Sequence, residues 1–234
     1  MALIINIDTA TDNASVALCK NGSLVAIKSN EQQKEHAAFV HKAIESLLQQ
    51  SKITMNEVNA FAVTSGPGSY TGLRVSMAAA KGLCYALNKP LICLNTLLVM
   101  ACAAKNMIIK KGLPVFEGQL LCPMIDARRM EVFMAMYNMD LEEVLPTMPK
   151  ILAIEFLQDV ENKNIYFFGN GSLKIFYLPQ NNVEIINVIT SAEYLGILAD
   201  EYFNKNQFSN VTYSHPQYFK EFYFGDKRVD IQKS

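Results

Sequence analysis

Hydrophobic and polar positions along this chain switch between a period of two and a period near 3.6, with glycine, asparagine and proline at the switch points. Residues 3–7 form a short apolar run that reads as a buried strand. Residues 15–19 and 24–27 form two more, joined through Asn21-Gly22, a strong hairpin signal. Residues 35–50 place Ala37, Val40, Ile44, Leu47 and Leu48 on one stripe, which predicts an amphipathic helix. A strand over 61–64, a helix over 73–87, a strand over 91–94 and a helix capped by Asn95 or Thr96 follow.

Past residues 110–118, where Gly112, Pro114 and Gly118 mark a linker, the opening pattern recurs. Cys122-Pro123-Met124-Ile125-Asp126-Ala127 echoes Ile4-Ile5-Asn6-Ile7-Asp8-Thr9, and residues 132–137 echo 16–19. Each copy is a strand, an aspartate at the turn and a second strand. A strand over 165–168 ends in Gly169-Asn170-Gly171-Ser172, and Thr190 with Glu193 predicts a capping box for a helix through Phe203. Hairpins that give way to alternating helices and strands, in two copies, predict an α/β chain of two related lobes around mixed sheets, residues 1–110 and 111–234.

Composition narrows the functional classes. A length of 234 residues suits one domain or two small lobes, and a chain that is 50% apolar and 18% charged is an ordered globular protein. A net charge of −1 provides no basic footprint for a large nucleic-acid interface, so any contact with RNA is local or made through a partner. Cys19, Cys84, Cys93, Cys102 and Cys122 lack CxxC spacing and sit mostly in apolar runs, the pattern of reduced thiols in a cytoplasmic protein. The apolar stretch 91–104 is broken by Asn95-Thr96, and Asp8 interrupts the first apolar run, so neither a membrane span nor a signal peptide is expected.

The densest motif is Ser65-Gly66-Pro67-Gly68-Ser69-Tyr70-Thr71-Gly72-Leu73-Arg74. Gly66, Gly68 and Gly72 permit positive φ and close backbone approach, and Ser69 or Thr71 can cap the helix beyond. A glycine-rich bend feeding a helix N-terminus serves either as an anion cradle or as a tight, well-capped turn. It is not a Walker A loop, which needs Lys-Ser/Thr after the last glycine, nor a dinucleotide fingerprint, whose spacing differs. There is no Gly-x-Ser-x-Gly elbow and no His-Glu-x-x-His, so the residues predict neither a catalytic nucleophile nor a metal site.

Ile7-Asp8-Thr9-Ala10-Thr11, the glycine motif, and Ile125-Asp126-Ala127-Arg128 with Glu131-Val132 together resemble, in order and separation, the bacterial TsaB (YeaZ) family. The resemblance implies two actin/Hsp70-like (ribonuclease H-like) lobes, each a mixed β-sheet flanked by helices. It implies a non-catalytic partner that works with the transferase TsaD and the ATPase TsaE. Their product is a threonylcarbamoyl group on N6 of the tRNA adenosine beside the anticodon, with threonylcarbamoyl-AMP as donor. The catalytic paralogue holds its metal with His-x-x-x-His. Here His36 and His41 are five apart and diverge by about 140° around a helix. Superfamily kinases use Asp-x-Gly-Thr/Ser at the first hairpin, whereas Ala10 takes the glycine position here. Asp8, Thr9 and Thr11 are therefore a degenerate phosphate hairpin, with no cofactor required and weak ADP or ATP binding at the partner contact left open. A stand-alone ATPase or small-molecule phosphotransferase using Asp8 is the competing reading.

The resemblance also implies pairing through first-lobe helices, with TsaD or, in isolation, with a second copy; tRNA is then met only through the complex. Runs that are apolar on more than one side, Ala37-Ala38-Phe39-Val40 and Met77-Ala78-Ala79-Ala80, agree with helices that need two partners. Val40, Ile44, Leu47, Val75, Ala79 and Leu83 are the expected contacts. Near the C-terminus, His215-Pro216-Gln217-Tyr218-Phe219-Lys220 resembles the family's Pro-x-Tyr-Leu-Arg ending, and Phe222, Tyr223 and Phe224 are expected to cover the core or dock a partner.

Overall fold

The computed structural model describes residues 2–30, 36–161, 163–179 and 183–220. Each half of the chain begins with a three-strand meander. In the first half β1 (Leu3–Asp8), β2 (Ala14–Lys20) and β3 (Ser23–Asn30) are antiparallel neighbours. Asn21 and Gly22 both adopt the left-handed conformation, φ 50° and 73°, as the expected hairpin turn requires. Helix α1 (His36–Ser51), β4 (Ala60–Thr64), α2 (Tyr70–Leu87), β5 (Leu91–Leu94) and α3 (Thr96–Lys111) complete this half. The second half runs β6 (Leu120–Asp126), β7 (Glu131–Asn138), β8 (Glu143–Ile151), α4 (Ile154–Val160), β9 (Ile165–Phe168), β10 (Glu184–Ile185) and α5 (Ala192–Asn204).

The two sheets have the same connectivity. The first is ordered β3-β2-β1-β4-β5 and the second, read from its opposite edge, β8-β7-β6-β9-β10. In both, the opening strand pairs antiparallel with the second and parallel with the fourth. The recurrence seen in the sequence is therefore a repeat of topology. Strand β8 had no sequence signal because Pro146 and Pro149 break its pattern. As an edge strand it tolerates prolines, whose missing N–H takes no bond from a second neighbour.

Both faces of β1 are buried, so its apolar residues run nearly without interruption. Ile5 and Ile7 join Phe61 and Val63 against α1 and α2, where Val40, Leu47, Met77 and Ala80 close the core. Ile4, Ala60, Ala62 and Ile92 lie against Leu195, Leu198 and Ala199 of α5. Chain order and packing part company here. Helix α5 comes from the second half yet covers the first sheet, while α3, from the first half, lays Leu97, Met100, Ala101 and Ala104 on the second. The two helices also touch each other, which interlocks the lobes.

Caps fall largely where the side chains suggest. Ser69 caps α2 by accepting from the Gly72 N–H at 3.3 Å, and the helix begins at Tyr70, three residues before the apolar pattern. Asn95 caps α3 by accepting from Leu97 N at 2.8 Å. The capping box from Thr190 and Glu193 does not form: α5 starts after Ser191 with no side-chain cap of its own. Instead the Ala192 N–H donates to Ser15 Oγ on β2 at 2.8 Å, because docking on the first sheet brings a buried hydroxyl to the helix end. Ser15→Ala should therefore lower unfolding free energy by about 1–3 kcal/mol in urea melts, by leaving a buried N–H without an acceptor. Thr190→Ala should stay within about 0.5 kcal/mol.

Candidate functional site

Parallel pairing of β1, β4 and β5 brings their carboxyl ends to one edge of the first sheet, the edge where α/β folds gather functional loops. Asp8 ends β1 and is 1% exposed. One carboxyl oxygen, Oδ1, accepts from Thr64 Oγ1 at 2.9 Å and from Ala10 N at 3.1 Å. Burial pushes the Asp8 carboxyl above its ordinary value of 3.8, and these two donors only partly oppose that. Thr9 is fully buried and donates to Gly72 O at 2.7 Å, while Thr11 is half-buried at the turn.

The glycine loop is packed against this turn. A Cβ on Gly72 would stand 1.9 Å from Thr9 O, one on Gly68 2.4 Å from Ala10 O, and one on Gly66 2.6 Å from Gln217 O. Ser69 N donates to Ala10 O at 2.7 Å, and Thr96 N to Gly66 O at 2.9 Å. Of the two roles open to the motif, the geometry supports the tight turn. At each of these three positions the chain's own backbone stands where a side chain would be. The three glycines are required because backbone meets backbone there.

The equivalent hairpin of the second lobe is built differently. Asp126 is exposed, its Oδ1 accepting from Lys174 Nζ at 2.6 Å and from Arg128 N at 2.5 Å. Partial desolvation raises this carboxyl, but the Lys174 ammonium and the Arg128 N–H outweigh it and hold the group below 3.8. Lys174 Nζ also donates to Glu131 O at 2.8 Å, which ties the hairpin to the 3-10 turn Ser172–Tyr177. Arg128 and Arg129 are exposed in left-handed conformations, φ 71° and 49°.

The six residues expected at a partner contact separate into two groups. Val40 and Leu47 are fully buried beneath α1 and belong to the core, a correction that follows from which side of the helix meets the sheet. Ile44 and Ala79 are buried in the same core, yet with the half-buried Val75 and Leu83 they also line a surface groove between α1 and α2. Two adjoining depressions of about 360 and 410 Å³ share His41 and Leu83. Ile53 and Met55, just beyond α1, close one end; they escaped the sequence reading because they lie outside the helical period. The exposed Gly82 and Ala78 line the other depression, and nothing lies within 4 Å of a Cβ built on Gly82. Among the described residues no group of three His, Cys, Asp or Glu side chains is placed to hold a metal, and no helix is long and apolar enough to cross a membrane. The side chain of His36 and residues 222–224 lie outside the described residues.

Two interlocked lobes of identical sheet order define a two-lobed α/β protein with mixed five-stranded sheets. A family profile described as "TsaD: tRNA N6-adenosine threonylcarbamoyltransferase" matches residues 24–207. The chain belongs to that family, within its TsaB (YeaZ) branch. It is 29% identical to the tRNA threonylcarbamoyladenosine biosynthesis protein TsaB of Bacillus subtilis (strain 168) over 174 residues, 72% of this chain and 71% of that protein. The TsaB of Escherichia coli (strain K12) is 34% identical over 137 residues, 58% of this chain and 55% of that one. The solved structure of YeaZ from Pseudomonas aeruginosa superposes with a TM-score of 0.75 at 24% identity, over 93% of this chain and 100% of that one, which establishes the shared fold.

Opposite environments give the two hairpin aspartates opposite pH behaviour. The folded state binds the Asp8 proton more tightly than the unfolded chain, so its contribution is full below about pH 3.8 and is lost as pH rises through the folded value. Asp8→Asn keeps the acceptor and removes this loss, so its stability relative to the parent should rise as pH increases above about 3.8. Asp126→Asn should cost stability at neutral pH and progressively less on acidification, since that contribution is lost as pH falls. Chemical melts of both variants across pH check the two signs.

Proposed function

We propose that this chain is the non-catalytic partner subunit of the machinery that places threonylcarbamoyl on N6 of the tRNA adenosine beside the anticodon. TsaD performs the transfer from threonylcarbamoyl-AMP and TsaE supplies the ATPase. Membership of the family, with relatives named for threonylcarbamoyladenosine biosynthesis, supports the pathway. The observation that carries the partner role is the open apolar groove between α1 and α2.

Gly82 sharpens that argument. An exposed glycine inside a helix costs about 1 kcal/mol relative to alanine, and no neighbour in this chain requires it. Close approach by a helix of another protein gives it a use. TsaD is the partner in the working complex, and a second copy of this chain takes its place in isolation. A small net charge fits a subunit that meets tRNA through the complex rather than alone. No cofactor is required in this role, and any nucleotide is held weakly, at the partner contact. The sealed turn at Asp8 and Gly72 weighs against the alternative of a stand-alone ATPase or phosphotransferase.

The test is reconstitution of tRNA modification from TsaD, TsaE, tRNA, ATP and threonylcarbamoyl-AMP, with and without this chain. Product formation should collapse when the chain is omitted; undiminished product, or ATP turnover by the chain alone that Asp8→Asn abolishes, overturns the assignment. At the groove, Gly82→Ala should raise stability by about 0.5–1 kcal/mol. Gly82→Glu should leave the fold intact, by circular dichroism, while abolishing co-elution with TsaD.

A further inference from the structure

Beyond α5 the chain doubles back along the first lobe and then leaves it. Ser209 N donates to Leu91 O at 2.8 Å, and its hydroxyl accepts from Cys93 N at 3.0 Å, along the edge of β5. Lys81 on α2 holds the next stretch by donating to Thr212 O and Ser214 O at 3.1 and 2.8 Å. Gln217 N then donates to Ser65 O at 2.7 Å, with its own carbonyl filling the space over Gly66. Tyr218 lies beside Tyr70, ring centroids 5.2 Å apart, and its hydroxyl accepts from Arg74 Nε at 3.1 Å. The Arg74 guanidinium sits 3.9 Å above the Tyr70 ring.

The next two residues belong to the other lobe. The Phe219 ring is 6.5 Å from Phe133 on β7, and the Lys220 ammonium pairs with the carboxylate of Glu131, the first residue of β7. Residues 217–220 thus cross from the loop that packs on the first hairpin to the strand that leaves the second. The two anchorages are unequal. On the first lobe the segment is held by a backbone hydrogen bond, a close backbone seat, a ring pair and the hydrogen bond from Arg74 to Tyr218. On the second it has one ring contact and one ion pair whose side chains are 46% and 20% exposed, a class of interaction that water screens.

We propose that residues 217–220 are a latch that holds the two lobes at one opening, fixed on the first lobe and released at the Phe219–Lys220 end. Releasing that end frees the second lobe to move about the α3–α5 crossing while Tyr218 stays on Arg74. The motif residues Tyr70 and Arg74 gain a purpose from this that the turn itself does not supply: they seat the latch.

Pulsed electron spin resonance on the full chain tests it, with spin labels on cysteines introduced at Gln50 and Asp140, exposed positions on opposite lobes. The parent chain should give one narrow distance distribution. Lys220→Glu, which sets two carboxylates against each other, should broaden it about twofold as the lobes sample other openings. The charge swap Lys220→Glu with Glu131→Lys should restore the narrow distribution. All three substitutions are at residues that water reaches, and circular dichroism verifies folding. An unchanged distribution in Lys220→Glu combined with Phe219→Ala overturns the proposal, as does failure of the swap to restore the parent distribution.

Discussion

The organisation of the first lobe depends on backbone meeting backbone at the carboxyl end of β1. Parallel pairing of β1 with β4 forces the turn after one and the loop after the other into the same small volume. Only glycine fits there: Gly72 abuts the Thr9 carbonyl and Gly68 the Ala10 carbonyl at distances no side chain tolerates. That contact directs α2 away from the sheet edge and buries Asp8. It also creates the ledge at Ser65–Gly66 on which the C-terminal segment rests.

The two halves show how one topology comes to serve two purposes. Asp8 and Asp126 end equivalent strands at equivalent turns. The first is buried, and desolvation favours its uncharged carboxyl over the opposing hydrogen bonds from Ala10 and Thr64; the second faces water and Lys174, which favours the charged one. Desolvation and a nearby cation pull in opposite directions, and the surroundings of each turn decide which prevails. Exchange of α3 and α5 between the lobes then makes neither half complete alone, since each sheet has a face covered by the other half's helix.

The same division of labour appears on the outer helices. One stripe of α1 and α2 is spent on the core, through Val40, Leu47, Met77 and Ala80. Ile44, Ala79 and Leu83 belong to the margin of that same core and also line a groove. Buried Ile44 and Ala79, half-buried Val75 and Leu83, and exposed Ala78 and Gly82 line it together. Behind the groove, the core that α1 and α2 share with the first sheet fixes how the two helices lie against each other.

Much of the local structure was legible in the residues themselves. Asn21-Gly22 dictated a hairpin, Ser69 and Asn95 dictated helix starts, the apolar runs dictated strands, and the repeated Ile-Asp strand ending disclosed the two lobes. These signals rest on interactions within a few residues, so no distant contact was needed to read them. Tertiary structure alone decided which side of α1 is core, that α5 returns to the first sheet, and that Ser15 caps a helix starting 177 residues away. It alone decided that Gln217 closes the glycine loop. Those outcomes depend on which surfaces are left to cover once the sheets have formed, a competition among distant segments for the same buried space, and no local pattern records its result.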